Sequence, residues 1–139
     1  MKWIIAGTRT MDDQFEIESL LLETLKKYGM PEIVVTGGAK GVDRIGHAWA
    51  VKSGLDTKIF PADWNADGKA AGPIRNARMA DYIKDNGMLV LIWDRHSKGS
   101  ANMKRTAERK GIKVVEYVLS GSGQSIERGY RRPFSQGEL

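Results

Sequence analysis

A chain of 139 residues, 41% of them hydrophobic, has the length of one domain and enough apolar material for one core. It has no cysteine, which excludes disulfides, thiolate nucleophiles and zinc–thiolate sites and makes a cytoplasmic protein the expectation. Lysine and arginine number 22 against 17 acidic residues, a formal +5 that favours an anionic partner without choosing between nucleotide and nucleic acid.

The chain opens on a strand from Lys2 to Ala6, whose apolar run, Trp3 to Ala6, is far too short for a signal peptide or a membrane span, so no membrane partner is expected. Ile17, Leu20, Leu21, Leu25 and Tyr28 then recur at helical spacing, and Gly29 with Pro31 stops that helix. A second strand, Glu32 to Thr36, leads to a helix from about Val42 to Ser53 with Val42, Ile45 and Trp49 inward. After a third strand, Thr57 to Phe60, the polar stretch from Asp63 to Asn76 reads as a binding loop, running into a helix from about Pro73 to Lys84. A fourth strand, Met88 to Trp93, a helix from about Ser100 to Lys110 and a fifth strand, Lys113 to Val118, complete the series.

Most of these strands are continuous apolar runs, as expected of strands buried on both faces. The alternation predicts an α/β fold, a Rossmann-like three-layer domain with a parallel sheet of about five strands flanked by helices. From Ser120 the composition turns to glycine, serine and arginine, so residues 1–119 are read as a nucleotide-binding domain. Residues 120–139 are read as a tail with Ile126, Tyr130 and Phe134 as apolar anchors.

In open parallel sheets ligands bind beyond the carboxyl ends of the strands, and the unusual residues fall there. Gly7, Thr8 and Arg9 follow the first strand; Gly37, Gly38, Ala39, Lys40 and Gly41 follow the second. These glycines let backbone approach a phosphate at a helix N-terminus, or simply form a tight turn. The loop is neither a Walker A nor a G-x-G-x-x-G sequence, which disfavours ATP hydrolysis and ordinary NAD binding. Trp64 can stack on a base while Lys69 and Arg75, beside Asn76, hold phosphate. Asp43 either favours its helix dipole or meets a ribose hydroxyl, and Asp94 is placed to contact sugar or activate water. Ser97, Gly99 and Ser100 form a second small-residue turn into a helix. His47 and His96 have no metal-ligand spacing, so no metal site and no required cofactor is expected, although Mg2+ can accompany a phosphate ligand.

The ordered series GTR, VVTGGAKGVDRIGHAWA, FPADW, GKAAGPIRNARMAD and LIWDRHSKGSANM resembles the SLOG superfamily, in its YspA-related (cpYpsA-related) branch found in phages and bacteria, over about residues 1 to 118. The resemblance implies a Rossmann-like fold, a nucleotide, nucleotide-derived or DNA ligand, and a homodimer. Arg75-Asn76-Ala77-Arg78-Met79 is similar to the R-K-x-x-M motif of the Lonely Guy phosphoribohydrolases, with Asn for Lys, which implies the catalytic arginine's position for Arg75. The glutamate of their second motif falls at Met103, which cannot activate water, so hydrolysis here needs Asp94 or Asp43 as the carboxylate. The run from Gly41 to Ala50 resembles the G-[IV]-D-x-x-A-H-x-x-A run of the DNA-processing protein A family, with Gly46 for Ala, which implies single-stranded DNA.

The expectation is therefore a sensor or sequestering protein that binds a nucleotide or nucleotide-derived small molecule at the strand ends. Its alternatives are a phosphoribohydrolase using Arg75, Asp94 and Asp43, and a DNA-binding module.

Overall fold

The computed structural model describes residues 1–119 and 126–127. Strand β1 (Lys2–Gly7) is followed by helix α1 (Gln14–Tyr28), β2 (Ile33–Thr36), α2 (Val42–Lys52) and β3 (Asp56–Ile59). A short helix α3 (Trp64–Asp67), a 3-10 turn (Gly68–Ala70) and α4 (Ala71–Ile83) precede β4 (Gly87–Trp93), α5 (Lys98–Arg109) and β5 (Lys113–Leu119). The sheet runs β3-β2-β1-β4-β5 with every neighbour parallel, and a two-residue strand β6 (Ile126–Glu127) pairs antiparallel on β5.

Alternation along each strand divides the core in two. Trp3, Ile5, Val34, Val90 and Val115 face one side, where α1 contributes Ile17, Leu20 and Leu21 and α2 contributes Val42 and Trp49. Ile4, Val35, Leu89, Leu91 and Val114 face the other, against Met79 and Ile83 of α4 and Met103 and Ala107 of α5. The Trp3 and Trp49 rings stack at 6.3 Å with planes 5° apart, tying α2 to the centre of the sheet. The result is the expected α/β three-layer arrangement.

Several local expectations are corrected. β3 is not buried on both faces: Asp56, Lys58 and Ile59 are exposed, because it is the sheet's edge. Ile45 packs against the core as expected, though only partly buried, and the α2 residue pressed most tightly onto β1 is Gly46, where a Cβ would lie 2.6 Å from Ile5 Cγ2. The apolar run of β5 contains Glu116, buried, accepting from Trp93 Nε1 at 2.7 Å and paired with Lys104 Nζ at 3.1 Å. The stretch from Asp63 to Asn76 is mostly helical, since Asp63 caps α3 through the Ala66 N–H and Pro73 sits in the first turn of α4, where no donor is needed. Of the segment read as a tail, Ile126–Glu127 lies among the described residues, as β6, while Tyr130 and Phe134 lie outside them.

The chain steps outward from β1 to β2 to β3, then returns to place β4 on the other side of β1. The connection after β1 enters α1 on one face and that after β4 enters α5 on the opposite face. Their divergence opens a crevice at the carboxyl ends of β1 and β4, where the sheet order reverses.

Candidate functional site

The crevice holds a cavity of about 460 Å³. Ala6 and Gly7 at the end of β1, Met79 of α4 and Met103 of α5 supply apolar lining. Around it stand four cationic side chains, Arg9, Lys69, Arg75 and Lys98, and one carboxylate, Asp43. Trp64 also lines it and is 54% exposed, whereas the other tryptophans, Trp3, Trp49 and Trp93, are buried. Among the described residues, none of those four cations is in a salt bridge.

Asp43 organises the loop after β2. Its side chain is buried, and Oδ2 accepts from the Gly37 N–H at 3.1 Å and the Ala39 N–H at 3.3 Å. Burial pushes its pKa up to about 6, against the opposing pull of the Ala39 N–H, the Arg75 charge and the Gly37 and Gly7 N–H groups. Two of the donors that the glycine loop was expected to offer a phosphate therefore point inward to this carboxylate. Gly41 shows how tightly this loop is held. That residue has φ +76°, and a Cβ there would lie 2.4 Å from the Thr8 carbonyl oxygen.

Arg75 reaches across from α4. Its Nη1 donates to the Gly37 carbonyl at 2.8 Å and the Phe60 carbonyl at 3.3 Å, and Nε donates to Asn76 Oδ1 at 3.0 Å. Burial lowers the Arg75 pKa, Asp43 opposes that shift and the nearby Arg9 adds to it. Both Asp43 and Arg75 are thus displaced toward their neutral forms, so desolvation outweighs their mutual attraction, and no salt bridge joins them. An anion in the cavity would find a desolvated, incompletely compensated guanidinium.

Asn76 is buried and joins two helices: Nδ2 donates to the Gly99 carbonyl at 3.3 Å and to Asn102 Oδ1 at 2.9 Å. Ser97 caps α5 by accepting from the Ser100 N–H at 3.2 Å. The N–H groups of Lys98 and Gly99 lie in that helix's first turn, where they have no intrahelical acceptor, and both residues line the cavity.

Other candidates fall elsewhere. Thr8 is buried, and its hydroxyl accepts from the Asp94 N–H at 3.0 Å. Asp94 does not line the cavity; Oδ1 accepts from the His96 N–H at 2.8 Å, closing a turn around Arg95 with φ 70°. Gly38 and Lys40 line a neighbouring, more open groove of about 570 Å³, with Arg44, Pro61 and Ala62. Arg9, Ala39, Trp64 and Arg75 line both depressions.

Lys98, Asn102 and Arg44 were not anticipated. Lys98 was legible, lying between Ser97 and Gly99 at a helix start, whereas Asn102 acquires its place only through packing of α5 on α4. Among the described residues, no group of three or more His, Asp or Glu side chains could hold a metal ion, and no helix is long and apolar enough to cross a membrane.

Comparison with known proteins agrees with this architecture. Over 119 residues the chain is 29% identical to the Gene 61 protein of Mycobacterium phage D29, covering 82% of this chain and 94% of that protein. Its fold is similar to the crystal structure of DNA processing protein A (DprA) from Streptococcus pneumoniae, with a TM-score of 0.64, 18% sequence identity and 83% of this chain covered. The match spans 49% of the DprA chain, about half its length. Residues 1–66 match the family described as YspA, cpYpsA-related SLOG, so the segment that builds β1, the glycine loop and Asp43 is the part that carries that family's signature.

Proposed function

We propose that this protein binds a nucleotide or nucleotide-derived anion in the crevice between β1 and β4, as a sensor or sequestering protein. The observation that carries the reading is the composition of the cavity: four cations outside any salt bridge among the described residues, a single carboxylate already engaged by backbone N–H groups, apolar lining and an exposed indole. The family signature and the DprA-like fold support the coarser reading of a nucleotide-related or DNA-processing role. In the finer one, phosphate lies against Arg9, Lys69, Lys98 and the first turn of α5, while the base rests on Trp64. A base stacked on an aromatic side chain contributes about 1–3 kcal/mol. The homodimer implied by the resemblance belongs to the same proposal, and sedimentation reads it as twice the chain mass of 15.4 kDa.

Tryptophan fluorescence tests the site directly, because Trp64 is the exposed one of the four. Titration with AMP or GMP is expected to quench a component of the emission that Trp64→Phe removes, with roughly tenfold weaker binding in Trp64→Ala. Absence of any nucleotide-dependent change, together with no heat of binding in calorimetry, would contradict the reading.

A hydrolase reading rests on one feature, that Asp43 is a carboxylate lining the cavity, although Met103, which by the resemblance stands where the Lonely Guy proteins have their glutamate, lines it too. Chromatography of the same mixtures separates the two: release of free base, lost in Asp43→Asn, marks an N-glycosidic hydrolase, and intact nucleotide marks a binding protein.

A further inference from the structure

Beyond the rim marked by Trp64, the open groove is lined by Arg9, Lys40, Arg44 and Arg75, with no acidic residue among its lining. None of these four is in a salt bridge among the described residues. Arg44 is the third residue of α2, a first-turn position where its charge opposes the helix dipole. Arg9 and Arg75 are close enough for the first to disfavour the charge of the second. Such an arrangement is relieved when an anion occupies the groove. Since Arg9, Trp64 and Arg75 line both depressions, the groove and the deeper cavity form two compartments of one surface.

We propose that the groove is a second phosphate subsite and that the ligand is a dinucleotide. One nucleotide unit enters the deeper cavity, and the phosphate of a second unit lies against Lys40 and Arg44. This deepens the nucleotide-binding reading and rests on it. A mononucleotide fills one compartment, so joining a second phosphate-bearing unit adds affinity through an effectively intramolecular contact. Closely placed cations also make that added affinity more sensitive to salt.

Calorimetry with AMP and with pApA, the dinucleotide of two adenylates, tests both levels. The dinucleotide is expected to bind at least about tenfold more tightly than AMP. Arg44→Glu is expected to remove most of that gain while AMP affinity changes less than about threefold. The variant places an acidic residue where the helix dipole favours one, so α2 is retained, and circular dichroism and a melting curve check that it is. If AMP binds but pApA binds no more tightly, or the gain survives Arg44→Glu, the second subsite is overturned and the nucleotide reading stands. If neither probe binds, both are overturned.

Discussion

Burial lifts the Asp43 carboxyl from 3.8 to about 6, although Gly37 and Ala39 donate to it. The unfolded chain releases this proton near the ordinary value, so between the two values the folded state holds the proton and the unfolded state does not. The group's stabilising contribution is complete below 3.8 and declines as pH rises through about 6. For a buried group the full swing is on the order of 3 kcal/mol. Asp43→Asn removes that window. The stability difference between wild type and variant, measured by urea denaturation from about pH 4 to about pH 7, is expected to shift against wild type by roughly 2–3 kcal/mol. A difference that stays constant across this range would contradict the assignment.

Gly37 gives a second test at the same scale. Its φ lies outside the left-handed region, so alanine fits the backbone, but the new Cβ would stand 2.3 Å from Arg75 Nη1. The guanidinium must then leave the Gly37 carbonyl and its place in the cavity. Gly37→Ala is expected to lower nucleotide affinity about tenfold while costing only about 1–2 kcal/mol of stability. Unchanged affinity would separate Arg75 from ligand binding. The stretch from Gly37 to Gly41 was legible as a strand-to-helix turn, but its direction was not, because glycine spacing does not specify where an N–H points. The carboxylate six residues after Gly37 decides it.

At the scale of elements, the cavity depends on α4 and α5 keeping their separation, and Asn76 bridges them. Asn76→Leu leaves the Gly99 carbonyl and the Asn102 amide without that partner and is expected to cost roughly 2–3 kcal/mol, read as a lower urea midpoint. Ser97→Ala, which removes only a cap, is expected to cost about 1 kcal/mol. Equal losses would mean that the bridge adds nothing beyond a local cap. Sequence patterning located the long helices because their buried positions recur every three or four residues, as Ile17, Leu20 and Leu21 do. It missed α3 because Gly68, Gly72 and Pro73 look like breakers. In the fold, Gly68 ends α3 and opens the 3-10 turn, while Gly72 and Pro73 lie in the first turn of α4.

Across the whole molecule, the order β3-β2-β1-β4-β5 sets the location of the site, since it brings the loops after β1 and β2 and the starts of α4 and α5 to one edge. That convergence was legible from the alternation of short apolar strands with helices. The exposed edge at β3 was not, because four residues carry no mark of which strand will lack a neighbour. The most direct test of nucleotide binding in the crevice is chemical-shift mapping of the amide and indole N–H signals during titration with AMP. Binding there is expected to concentrate shifts at the Trp64 indole and the Lys98 and Gly99 amides, with the indoles of Trp3, Trp49 and Trp93 little changed. Shifts confined to β3 and the outer face of α1, or none at millimolar AMP, would contradict it.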